Sequence, residues 1–178
     1  KNKPNIIATV GVQEYRQTIP YVVQDGDTVL EVGCHLGTTT TILNQAAKNN
    51  DETGFCLGVD IGPRIIQGAQ KKYPNVPFAV ADAWHTAELL KLKRRNLISD
   101  NNEVKFGYDV VYVDIGGLSG SQGLLEAVSL VTSLGHALEP RTIVIKSLCM
   151  KRLASSLIPF SDIWQSKKKD YETKQPPK

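Results

Sequence analysis

The sequence lacks the features that mark membrane-spanning, secreted and metal-binding chains. No run of 18 or more apolar residues occurs in the 178, so no segment reads as a membrane-spanning helix. Cysteine is scarce: Cys34, Cys56 and Cys149 are odd in number and form no C-x-x-C pair. That spacing supports neither a disulfide framework nor a zinc site, so a reducing, cytoplasmic compartment is expected and no metal is. The opening Lys1-Asn2-Lys3-Pro4 carries no signal-peptide pattern and no Met, so the chain is expected to be a piece of something longer. Neither sign of charge dominates. The net charge of +3 is too small to mark a nucleic-acid binder and too small to exclude one.

What is present describes a folded domain. Hydrophobic residues make up 41% and charged residues 22% of the chain, the balance of a globular protein. The length fits one domain, expected over residues 1–160. Residues 161–178 form a charged tail with Lys167, Lys168, Lys169 and a final Pro176-Pro177 stretch, and are expected to be mobile.

Five short apolar runs alternate with helical patterns. Thr28–Val32 follows the turn residues Asp25-Gly26-Asp27 and reads as a buried strand. Gly33 and Gly37 come next, then a helix over 38–48 with Thr38 to Thr41 as N-cap hydroxyls. Strands are predicted at 54–60, 77–80, 109–113 and 141–145, and helices at 63–72, 84–97, 120–138 and 148–157. A helix is predicted near Val12 to Thr18, ended by Pro20. Continuous apolar strands mean burial on both faces, hence a doubly wound, mostly parallel, Rossmann-like α/β sheet with helices on each side. The last 20 or so residues show no convincing strand, so a C-terminal antiparallel hairpin is not expected.

In such a sheet, ligands bind beyond the carboxyl ends of the strands. The residues there carry the chemistry. Glu31 precedes the turn Gly33-Cys34-His35-Leu36-Gly37, whose glycines permit close backbone approach, and the following helix offers free N–H groups to an anion. A G-x-G-x-x-G dinucleotide site is not matched, because His35 fills the middle position. Asp60, followed by Ile61, ends the second strand, and Asp82-Ala83 follows the third. Asp60 reads first as a partner for ligand hydroxyls and second as a helix cap, while Asp82 suits a ligand amine and a helix cap equally. Asp114 ends the fourth strand and Lys146 the fifth, so the two face one crevice. The group Lys91, Lys93, Arg94 and Arg95, like Lys151 with Arg152, reads first as a solvated helix end and second as a phosphate contact. Gly116, Gly117 and Gly120 leave the loop after Asp114 free to approach a substrate.

The run Val29-Leu30-Glu31-Val32-Gly33-Cys34-His35-Leu36-Gly37 resembles the first motif of class I S-adenosylmethionine-dependent methyltransferases, E/D-x-G-x-G-x-G, with His35 at the middle glycine. Gly58-Val59-Asp60 is similar to the second motif, Ala81-Asp82-Ala83 to the third, Tyr108–Asp114 to the fourth, and Ile143–Ser147 to the strand that follows. The resemblance covers about residues 12–157. It implies S-adenosylmethionine as cofactor. Glu31 would stand near its amino group, and Gly33, Cys34, His35 and Gly37 along its methionine moiety. Asp60 with Ile61 would meet the ribose, and Asp82 with Ala83 the adenine. A weaker likeness to the FtsJ-like and fibrillarin-like RNA 2′-O-methyltransferases pairs Asp114 and Lys146 with the middle of their Lys-Asp-Lys-Glu tetrad. Asp82-Ala83-Trp84-His85 resembles a fibrillarin-like segment. RNA is then the expected partner, with Asp114 and Lys146 catalytic. Arg16, Lys1 and Lys3 are the cations available ahead of the first motif, and no convincing late strand carries the tetrad's glutamate. A small-molecule or protein acceptor, and a binding module without catalysis, stay open.

Overall fold

The computed structural model describes residues 3–48, 53–97, 107–118, 120–158 and 160–161, with backbone alone for 94–97 and 121. The tail from 162, the segment 98–106 and Ser119 lie outside the described residues, and with them the expected mobile tail and its three lysines.

Six strands form one sheet: β1 Asn5–Thr9, β2 Thr28–Val32, β3 Phe55–Asp60, β4 Phe78–Val80, β5 Val110–Val113 and β6 Thr142–Lys146. Their order is β1-β6-β5-β2-β3-β4, and every pairing is parallel. Among the described residues no antiparallel strand joins the sheet. Counted from β2, this is the doubly wound order, and its switch point lies between β2 and β5. The sixth place, beside β6, is filled by the first strand of the chain.

The apolar runs explain the layers. β2 and β5 are buried at every position, because alternate side chains feed opposite faces. Leu30, Val32, Val111, Val113, Ile143 and Ile145 pack with Leu89 of α5 (Thr86–Leu97) and with Leu130 and Leu134 of α6 (Leu124–Leu138). Val29, Cys56, Val110, Tyr112 and Val144 face the other way. They pack with Tyr15 of α1 (Gly11–Gln17), Ile19 of α2 (Ile19–Val22) and Leu43 of α3 (Thr38–Ala47). Ile66 and Ala69 of α4 (Pro63–Lys72) close the β4 edge against Phe78. A last helix, α7 (Leu148–Ser156), follows β6, with the Ser147 hydroxyl accepting from the Met150 amide at its start.

Four expectations are corrected. A strand precedes the predicted first one. Four of the five residues of β1 are exposed or half-exposed and one is buried, so it lacks the continuous burial that marks its neighbours. Pro20 does not end a helix but sits in the first turn of α2, where its missing N–H is harmless. The threonines do not cap α3. Its N-cap is Gly37 at φ 79°, with no side-chain cap. The helices predicted from 84 and 120 begin later. Asp82 accepts the Trp84 amide with its carboxylate and the His85 amide with its carbonyl, and 121–123 form a short 3₁₀ turn.

Candidate functional site

β1 decides what stands over the site. Its register sets Thr9 level with Lys146, so the chain leaves the sheet at the carboxyl edge. Gly11, at φ +69°, turns it into α1. Val12 and Arg16 of that helix then line a cleft of about 380 Å³ together with Glu31, Gly33, Cys34, His35, Leu36, Thr38, Thr39, Asp114 and Lys146.

The floor is the glycine turn. Gly33 adopts φ +78°, and a Cβ there would lie 2.1 Å from the Asp114 carbonyl oxygen. Only glycine lets β2 and the end of β5 approach so closely. The Gly33 and Cys34 amides both donate to the Val59 carbonyl, at 2.8 and 3.0 Å, which folds the turn back onto β3. His35 sits at φ 48°, in the left-handed region that a glycine would occupy without strain. Its amide donates to Asp60 at 3.2 Å, and the other Asp60 oxygen accepts from the Gly62 amide at 2.9 Å.

The walls carry the charge. Glu31 is 2% exposed and accepts a hydrogen bond from the Thr40 hydroxyl. Burial pushes its pKa up to about 8; the Thr40 bond opposes this, Asp114 adds to it, and Arg16 and Lys146 work against it. Asp114 and Lys146 form an ion pair, each side chain about a quarter exposed. Arg16 reaches across to α3, its Nε donating to the Thr39 hydroxyl at 3.0 Å. The amides of the first turn of α3 have no side-chain cap where they meet this cleft. Next to these groups Tyr15 is fully buried, and its hydroxyl has no hydrogen-bond partner. The Cys34 thiol is pushed up by burial and by the charges of Glu31 and Asp60, which makes it a wall rather than a nucleophile.

Of the predicted residues, Glu31, Gly33, Cys34, His35, Asp114 and Lys146 meet in this cleft. Gly37, Asp60, Ile61, Asp82 and Ala83 do not line it. Asp60 adjoins it through His35, and Gly37 caps α3 behind it. Ile61 is 70% exposed, and Ala83 is buried.

No family model matches the chain, and no curated protein matches it. Solved structures similar to it include a TehB-like SAM-dependent methyltransferase from Corynebacterium glutamicum, at 19% identity over 74% of this chain and a TM-score of 0.47. The sugar N-methyltransferase from a Streptoalloteichus species is similar at 16% identity over 76% and a TM-score of 0.48. Coclaurine N-methyltransferase, bound to N-methylheliamine and SAH, is similar at 15% identity over 75% and a TM-score of 0.48. The chain spans 60%, 46% and 34% of the lengths of these three.

Val12, Arg16, Leu36, Thr38 and Thr39 are the cleft residues that spacing did not single out. The run of four threonines was a visible signal with the wrong role attached. Their hydroxyls serve Glu31, Arg16 and the Gly37 carbonyl instead of capping the helix. The basic group on α5 also changes character. Lys93 is 2% exposed, donates to the Gly107 carbonyl and holds its Nζ 5.4 Å from the centre of the Tyr108 ring. It anchors the core and is no solvated cation. Among the described residues no cluster of three His, Cys, Asp or Glu could hold a metal ion, and no helix is long and apolar enough to cross a membrane.

Proposed function

We propose that this chain is an S-adenosylmethionine-dependent methyltransferase acting on a hydroxyl held between Asp114 and Lys146. One observation carries the reading. At the switch point of the sheet, a buried carboxyl, a glycine turn, an uncapped helix N-terminus and an Asp–Lys ion pair open onto the same cleft.

The residues fit the cofactor. Glu31 faces the cleft as a partner for an ammonium group, and the first turn of α3 as a partner for a carboxylate. Asp60 spends one interaction per oxygen on backbone amides, and a carboxylate has about four acceptor sites, so it can still accept from ribose hydroxyls. Asp82 follows the next strand over, about 4.8 Å further along the edge, and is the proposed partner of the adenine amine. His35 keeps the left-handed backbone that the motif's glycine would supply.

When bound, the cofactor supplies a methyl group activated by a sulfonium. The chain's part is alignment and proton handling. Asp114 accepts the hydroxyl's hydrogen. Lys146 fixes that carboxylate through its ion pair. The finer reading, an RNA ribose hydroxyl, is supported by Arg16. It is one of the cations ahead of the first motif, and it lines the cleft with Asp114 and Lys146.

Calorimetric titration with S-adenosylhomocysteine, with NADH as control, tests the cofactor. Micromolar binding of the first alone is expected. Lys146→Ala is expected to lower methyl transfer to RNA by 100-fold or more, on the order of a general acid–base contribution, with cofactor affinity kept. Full turnover in that variant would make Lys146 structural. Transfer to a small molecule or protein but not to RNA would leave the enzyme and remove the ribose.

A further inference from the structure

Two carboxyls, Glu31 and Asp114, line the cleft with Arg16 and Lys146, and their environments differ. Glu31 (β2), Asp114 (after β5) and the buried hydroxyl of Tyr15 (α1) stand together, and one ion pair, Asp114 with Lys146, accounts for one of the two carboxyls. Glu31 has a different environment from Asp114. It is 2% exposed, and its one donor is the neutral Thr40 hydroxyl. Tyr15 lies within reach of the charge on both carboxyls, yet its hydroxyl has no partner.

We infer that Glu31 is a specificity-determining residue that is neutral in the empty cleft and admits a ligand's cationic group by giving up its own proton. This rests on the methyltransferase reading and deepens it, because the group admitted is the α-ammonium of the cofactor's amino-acid end. The exchange balances simply. The Glu31 carboxylic acid loses H⁺ to the buffer, and the ligand's ammonium, which keeps its protons, becomes the counter-ion of the carboxylate.

The groups facing Glu31 support this from every side. α3 supplies Thr40, a hydrogen bond that favours ionisation without neutralising the charge. α1 supplies Arg16, which favours ionisation, and Tyr15. The turn supplies Cys34, β3 Cys56 and β5 Tyr112, all of them neutral groups whose own ionisation Glu31 opposes. Asp114 disfavours the carboxylate, and Lys146 favours it less strongly than Asp114 opposes it. Burial outweighs all of these and pushes Glu31 up to about 8. At pH 7 such a group is mostly protonated. A ligand without a cation finds a neutral wall, and one with a cation draws the proton out. Selectivity for the charged ligand therefore rises with pH up to the point where Glu31 is already ionised.

The test is calorimetry of the full chain at pH 7 in phosphate and in Tris, whose ionisation enthalpies differ. S-adenosylhomocysteine is expected to release most of one proton per site. 5′-Methylthioadenosine, which lacks the amino-acid end, is expected to release none. Glu31→Gln is expected to bind S-adenosylhomocysteine without proton release and with an affinity independent of pH. Binding with no proton release by the unsubstituted chain would overturn the inference and leave the methyltransferase reading intact. Equal release with both ligands would overturn it too, since the proton would then come from elsewhere. No binding of either ligand would remove the reading and the inference together. The two-ligand comparison needs no substituted chain, so it decides the matter even if Glu31→Gln fails to fold.

Discussion

Gly33 shows how much one residue decides here. Its positive φ and the 2.1 Å approach that a Cβ would make to the Asp114 carbonyl tie the glycine turn to the end of β5, beside the proposed proton acceptor. The obstacle is backbone, so no rotamer change relieves it. Gly33→Ala is expected to destabilise the chain by about 2 kcal/mol or more, the range for forced backbone strain, measured by urea unfolding. Unchanged stability would mean that the turn and the end of β5 separate at little cost. Gly116 differs, because its φ is not positive and a Cβ there meets nothing within 4 Å. His35 tolerates the left-handed region without being glycine, and the Asp60 carboxylate helps to hold its amide there.

At the scale of elements, the sheet is tied at its other end by Arg141, which precedes β6. It pairs with Asp27, ahead of β2, and donates to the Val22 carbonyl at the end of α2 at 2.8 Å. Asp27 is 6% exposed, so losing its partner would leave a buried carboxylate unpaired. Arg141→Ala is expected to cost about 2 kcal/mol, the scale of hydrogen bonds to a charged group, read from the urea midpoint with the slope unchanged. Glu14 and Lys151 pair α1 with α7 in the same manner, but both side chains are 40% exposed, and such a pair contributes little. Elements made of continuous apolar runs were legible from the sequence, since burial on both faces leaves no other composition. β1 was not. An edge strand is half solvated, so its residues need not be apolar, and what commits it to the sheet is pairing with β6, 137 residues or so away by chain order. α1 was predicted as a helix near its observed place, but nothing in its spacing showed that Arg16 would hang over the cleft.

For the molecule as a whole, the buried carboxyl gives folding a pH dependence of unusual sign. Glu31 in the native chain holds its proton up to about 8, against an ordinary value of 4.5. The native state then binds the proton more tightly than the unfolded one. That contribution to stability is fully present below about 4.5 and is lost as pH rises through about 8. The thermal midpoint of the ligand-free chain is expected to fall between about pH 5 and about pH 8.5, and Glu31→Gln to flatten that slope. A midpoint that rose over this range in the unsubstituted chain would show Glu31 ionised when empty.

The sequence by itself determined the layered α/β fold, the switch-point turn and the acids at successive strand ends. These follow from local rules: buried strands must be apolar, tight turns need glycine, and chemistry gathers at carboxyl ends. Only the tertiary structure decided which of those residues share a cleft. Asp114 and Lys146 meet because β5 and β6 are neighbours, and Arg16 joins them because β1 adds beside β6 and delivers α1 to the same edge. Asp60 and Asp82 stay outside that cleft because β3 and β4 lie on the far side of β2. Strand order is a long-range property, set by which faces and edges bury best against one another, and no local window of sequence contains it.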